Sequence, residues 1–179
     1  MGVFGRPDKQ LVTLTVNGET HDVAVEPRET LLEAVRYTLG LTGSKQGCDK
    51  GDCGACTVLI DGKPVLACLS LAIEAQGRAV TTIEGLAKDG KVTPVQDAFD
   101  VCGALQCGFC QSGMMLSATA LLAKNEKPSR EQIKDALAGN LCRCTGYTQI
   151  LNAVEVACGQ RSVADRDERP TTQAEATAK

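Results

Sequence analysis

The 179-residue sequence has no tryptophan, only two tyrosines and three phenylalanines, so its core must be built from Ala, Val, Leu and Ile. It also has a single histidine, His21. That scarcity excludes a Rieske-type centre, which needs two imidazole ligands, and leaves little for acid–base catalysis. No apolar run approaches the ~18 residues of a membrane-spanning helix. The N-terminal "MGVFGRPDKQ" lacks the apolar stretch of a secretory signal, and Arg6 fills the slot where an N-terminal Met-Gly acylation motif needs Ser or Thr. A formal charge of −3 and a pI near 5.3 give no nucleic-acid footprint. No glycine-rich phosphate-binding motif is present.

What the chain does have is ten cysteines. With no export signal, a reducing cytoplasm is the expected location, and there cysteines stay thiols. Metal binding or redox chemistry is then the reading to test. The remaining composition, 43% hydrophobic and 23% charged, is that of an ordinary globular protein.

The first half, residues 8–84, reads as a small sheet with one helix. In "LVTLTV" Val12, Leu14 and Val16 share a face, and Asn17-Gly18 predicts a hairpin turn into Val23 and Val25. Thr30 and Glu33 form a capping box ahead of a stripe of Leu31, Leu32, Val35 and Leu39. "TVLI" and "PVLAC" flank Asp61-Gly62 as a second hairpin, and "AVTTI" at 79–83 predicts a last strand. His21, beside the first turn, is expected at the surface.

The second half, residues 85–161, is helical, with the boundary near "EGLAKD" at 84–89. Thr93-Pro94-x-Gln96 and Ser129 to Gln132 are helix starts. Met114, Met115, Ala118, Leu121 and Leu122 make one apolar stripe, as do Ile150, Leu151, Val154, Ala157 and Cys158. Four short helices on short loops predict an antiparallel bundle. The polar segment 162–179 is expected to be disordered.

"GCDKGDCGACTVLIDGKPVLAC" places Cys48, Cys53, Cys56 and Cys68 in the pattern C-x4-C-x2-C-x11-C. This is the spacing of plant-type [2Fe–2S] ferredoxins. Gly47, Gly51 and Gly54 let the loop backbone wrap closely and aim N–H groups at sulfur. A zinc knuckle is the rival, but it pairs two close C-x2–4-C units rather than this arrangement.

"LQCGFCQSG" and "GNLCRCTGY" supply a second set, Cys107, Cys110, Cys142 and Cys144, as C-x2-C-x31-C-x-C. Each pair falls beside a helix end, so the pairs can converge on one tetrathiolate site. Gly108 and Gly113 are expected to relieve crowding around the first pair, and Gly139-Asn140 to stop a helix. A dithiol redox motif or a structural zinc remains an alternative. Cys102 and Cys158 are left over as small buried residues on helices. Lys45, Lys50 and Arg143 are candidate cations to offset the negative charge of filled tetrathiolate sites.

Together "GCDKGDCGACTVLIDG", "QCGFC" and "AGNLCRCTGY" resemble the small iron–sulfur subunit of the xanthine oxidase family of molybdenum hydroxylases, over about Leu11 to Cys158. Around the first and last of these motifs the sequence is similar to small subunits of 4-hydroxybenzoyl-CoA reductase, and the chain also resembles carbon monoxide dehydrogenase small subunits. The resemblance implies an α+β chain: a β-grasp, plant-type ferredoxin domain, then an all-α four-helix bundle, each with one [2Fe–2S] cluster. It implies that the bundle cluster sits beside the molybdopterin of a large subunit, with Gln106 and Cys144 near the pterin. The other cluster would face an FAD on a medium subunit, in a dimer of heterotrimers. Electrons would run between molybdenum and flavin through both clusters, in reverse in one subgroup. "CQSG", with Gln111-Ser112, stands where many members have "CTPG" and leaves a cytochrome acceptor open. A free-standing two-cluster electron carrier is the alternative function.

Overall fold

The structure, a computed structural model, describes residues 8–165. The N-terminal signal and acylation motifs considered above lie outside these residues, as does the tail beyond Asp165. Residues 163–165 of the expected disordered segment form a short 3₁₀ turn, Val163–Asp165.

Strand β1 (Gln10–Val16) buries Val12, Leu14 and Val16, with Thr13 exposed and Thr15 half-buried between them, as period-two alternation predicts. Asn17 and Gly18 adopt φ of 54° and 86°, the left-handed pair of a tight hairpin, and β2 (Glu19–Val25) returns antiparallel with Val16 opposite Glu19. His21 lies inside β2 opposite Leu14 and is half-buried, because it shares the inward parity of Val23 and Val25. It lies beside the turn as expected, but half-buried rather than fully at the surface.

The Thr30 capping box forms: Thr30 Oγ1 accepts from the Glu33 N–H at 3.2 Å, and Glu33 Oε2 accepts from the Thr30 N–H at 2.8 Å. The helix it opens is shorter than its stripe suggested. Helix α1 (Leu31–Glu33) widens at once into a π-helical turn, Ala34–Thr38, closed by Leu39 N–H on Ala34 O, and Leu39 ends half-buried.

After a long loop, β3 (Thr57–Ile60) and β4 (Lys63–Leu66) form the second hairpin through Asp61 and Gly62. Strand β4 stops at Leu66, so Ala67 and Cys68 lie beyond it. Strand β5 (Ala79–Thr81) is likewise shorter than expected, and Ile83–Gly85 turns in a 3₁₀ conformation. The sheet order is β2-β1-β5-β3-β4, with β1 and β5 parallel and the other pairs antiparallel.

Helices α2 (Pro94–Val101), α3 (Gln111–Lys124), α4 (Arg130–Leu137) and α5 (Thr148–Ala157) follow. Thr93 with Gln96 and Ser129 with Gln132 form capping boxes on α2 and α4. Phe99, Met114, Leu116, Ile133, Leu137 and Ile150 are fully enclosed between the helices. Burying each is worth roughly 1.5–3 kcal/mol.

Helix α3 departs from the stripe expected of it. Every residue from Ser112 to Ala118 is buried, whereas Leu121 and Leu122 are half-buried. Its first two turns are enclosed because α3 packs on β3 and β4 as well as on α2 and α4. Strand β3 is the wall common to both halves: Val58 and Ile60 point into the core under α1, while Leu59 joins the helical core. That is why all four of its residues are buried. The fold is α+β.

Candidate metal centres

The first thiol group is built by the loop from Gly47 to Cys56 and by Cys68, just past β4. Cys56 and Cys68 are buried, Cys48 and Cys53 half-buried. The thiols act on one another, Cys53 with Cys48 and Cys68, and Cys56 with Cys68 and Cys53. Asp49, Gly51 and Gly54 take φ of 55°, 88° and 69°. Alternation of left- and right-handed backbone turns successive N–H groups into one concavity, which suits an anion. Here those groups point at sulfur. The N–H groups of Lys50 and Cys53 lower the Cys48 thiol to about 7, whereas burial raises Cys56 to about 12 and also raises Cys53.

The second group draws on two loops. Cys110 caps the N-terminus of α3 and Cys107 precedes it; Cys142 and Cys144 lie between α4 and α5. Cys144 Sγ donates to Cys107 Sγ at 3.5 Å, and Cys110 pairs with Cys142. Cys107 and Cys144 are exposed and the other two half-buried. The Phe109 N–H lowers Cys107, and burial raises Cys110 to about 12. Burial pushes Cys142 up, but the Thr145 hydroxyl at 3.2 Å and N–H at 3.4 Å outweigh it and bring it below the usual thiol range.

Among the described residues, no three His, Cys, Asp or Glu side chains are grouped around a single ion position. A tetrahedral zinc site needs four ligands on one point, and a [2Fe–2S] cluster takes four thiols shared between two irons.

Tyr147 was not singled out as a site residue, yet it holds the second loop. It sits at φ 68°, a left-handed conformation unusual for a bulky residue. Its hydroxyl accepts from the Cys142 N–H at 2.9 Å and donates to Asn140 O at 3.3 Å. The one sequence signal available was its place after Gly146, immediately before a helix. Asn140, expected only as a helix stop, is 3% exposed and reaches into the sheet half. Gly113 does not serve the cysteine pair as expected; a Cβ there would lie 2.3 Å from Gly54 O, so it permits close approach of α3 to the first loop.

The two groups adjoin. The Leu141 N–H, one residue before Cys142, donates to Cys53 O at 2.9 Å. The Phe109 ring lies 3.3 Å from the Cβ position of Gly47. Gln106 is exposed beside Cys107, and Arg143 is exposed between Cys142 and Cys144. Lys45 donates to Thr42 O at 2.7 Å and Lys50 pairs with Asp52 at 3.2 Å, so both engage their own loops. Cys102 and Cys158 cap the C-termini of α2 and α5; Cys102 is buried, but Cys158 is only half-buried and donates to Gln160 Oε1 at 3.0 Å.

Two family models match the chain: "2Fe-2S iron-sulfur cluster binding domain" over residues 14–81 and "[2Fe-2S] binding domain" over 82–155. The nicotine 6-hydroxylase small subunit of Paenarthrobacter nicotinovorans is 50% identical over 153 residues, covering 86% of this chain and 92% of that one. The nicotinate dehydrogenase small FeS subunit of Eubacterium barkeri is 47% identical over 150 residues, 84% of this chain and 96% of that one. Among solved structures, a chain of quinoline 2-oxidoreductase from Pseudomonas putida 86 superposes with a TM-score of 0.82 at 42% identity, covering 92% of this chain and 99% of that chain. The chain thus belongs to the small [2Fe–2S] subunits of the xanthine oxidase family of molybdenum hydroxylases, as its cysteine motifs implied.

Proposed function

We propose that this chain is the electron-relay subunit of a cytoplasmic molybdenum hydroxylase, with Cys48, Cys53, Cys56 and Cys68 holding one [2Fe–2S] cluster in a β-grasp domain (8–84). Cys107, Cys110, Cys142 and Cys144 hold the other in a four-helix domain (85–161). The observation that carries this is the division of eight thiols into two groups, one in each half, each with backbone N–H donors aimed at sulfur. Thiolate donors suit iron, and N–H groups aimed at sulfur offset the negative charge such a site acquires. Two buried polar atoms beside Cys110, Gln111 Nε2 and Ser112 Oγ, have no partner within the described residues, as expected of donors that serve a bound group. Bound there, each cluster supplies a reversible one-electron carrier.

The residues of the chain divide the remaining work. Cys56 and Cys68 lie in a shell of buried Val58, Ala67 and Ala72, which excludes water from one end of the first site. Cys107 and Cys144 stay exposed, with Gln106, Leu105, Phe109 and Leu141 exposed around them. This face suits a large molybdopterin-binding subunit, with Gln106 and Cys144 nearest the pterin. The first loop then faces a medium FAD-binding subunit, and the assembly is a dimer of such heterotrimers. Substrate binds on another chain; the relatives named above are named for N-heteroaromatic compounds, and that class is the first to try.

The test is metal analysis of the tagged chain purified anaerobically from its native host. About four iron per chain, two for each of two clusters, together with molybdenum and two larger copurifying chains, is expected. Iron without molybdenum or partners would favour a free carrier, and zinc in place of iron would reject the proposal.

A further inference from the structure

Between the two thiol loops lies a buried polar knot. Asn140 Oδ1 accepts from Ser117 Oγ on α3 at 2.8 Å. Its Nδ2 donates to Gly54 O at 2.9 Å and to Thr57 Oγ1 at 3.3 Å, and Thr57 Oγ1 in turn donates to Gly54 O at 2.7 Å. All three side chains are at most 5% exposed. The knot therefore joins three segments: the first thiol loop, helix α3, and the α4–α5 loop that carries Cys142 and Cys144.

The approach is so close that side chains are excluded from its walls. A Cβ on Gly54 would lie 2.2 Å from Gly139 O and 2.6 Å from Asn140 Nδ2, and one on Gly113 would lie 2.8 Å from Asn140 Nδ2. The residues on either side of the knot are the working ones. Gly54 follows Cys53, and Asn140 precedes Leu141, whose N–H bonds Cys53 O at 2.9 Å. Buried polar networks with every member satisfied fix one geometry, because breaking any bond strands a polar group away from water. Packing of α3 on β3 and β4 joins the halves, and this knot, with the Leu141 N–H bond to Cys53 O, fixes one thiol loop against the other.

We infer that Asn140 is a positioning residue that sets the spacing and orientation of the two cluster-bearing loops relative to one another, and hence the coupling between the sites. The inference rests on the reading that each loop holds a [2Fe–2S] cluster. Electron passage and magnetic interaction between two centres both depend steeply on their separation, so both should follow this one carboxamide. Iron binding should not, because all eight thiols remain.

The experiment compares the dithionite-reduced complex from the native host with its Asn140→Ala, Asn140→Asp and Ser117→Ala variants. Ser129→Ala, which weakens the cap of α4 without touching the knot, is the control for mere destabilisation. The readouts are iron per chain and the mutual splitting of the two low-temperature EPR signals. Asn140→Ala and Asn140→Asp, which both remove the Nδ2 donor, should keep both signals and full iron but lose the wild-type splitting. Ser117→Ala should change it in part, and Ser129→Ala should lower the melting temperature and leave it intact. Wild-type splitting in Asn140→Ala would overturn the inference; if that variant yields no complex, wild-type splitting in Ser117→Ala would do so. A wild-type complex with fewer than two iron–sulfur signals would overturn the reading beneath it, and the inference with it.

Discussion

The two thiol groups solve one chemical problem in opposite ways. The first is closed by its own chain: Cys56 and Cys68 are buried, and one continuous loop supplies three of the four sulfurs. The second is assembled from two loops brought together by α3, α4 and α5, and its Cys107 and Cys144 are exposed among exposed Leu105, Phe109 and Leu141. The first site is the more buried of the two, and the second leaves two of its four thiols at the surface.

The harshest way to disturb both at once is Gly54→Ala. The residue sits at φ 69° with a backbone oxygen 2.2 Å from the would-be Cβ. Strain and overpacking together should cost on the order of 3 kcal/mol, read as a fall in denaturation midpoint and loss of iron from both sites. Unchanged iron in that variant would mean the halves pack less tightly than the structure shows.

Leu141→Asp separates the two behaviours. Leu141 is 55% exposed, so the variant should fold and keep its iron, while copurification of the large subunit falls at least tenfold. Undiminished copurification would place the docking face elsewhere. Tyr147→Phe should act on the second site alone. It leaves the Cys142 N–H without its acceptor, a loss worth about 1–2 kcal/mol. Faster iron release at the second site, with the first unchanged, is the expected readout; equal release from both would contradict the separation. Ser129→Ala is the mildest, about 1 kcal/mol from a lost helix cap, with both EPR signals intact.

Local signals carried much of this architecture. Asn17-Gly18, Asp61-Gly62 and the capping boxes at Thr30 and Ser129 form as their side-chain chemistry dictates, and the Thr93 helix start adds a third box. The close spacings C-x4-C-x2-C, C-x2-C and C-x-C are local and were legible, whereas the distances that bring Cys68 and the two later pairs together are set by the fold. Contacts between the halves were not legible. Periodicity could not show that α3 is enclosed through Ala118, because the sheet that covers it is distant in sequence. The same holds for Asn140, read as a helix stop from its neighbours, and for Gly113, whose reason for being glycine is Gly54.

Eight cysteines divided between the halves are expected to form two separate [2Fe–2S] sites. The most direct test is EPR and iron analysis of the reduced complex carrying Cys107→Ser, beside one carrying Cys56→Ser. Each variant should lose one signal and about half of the iron, and the two should lose different signals. Loss of both signals from either variant, or of the same signal from both, would contradict the account.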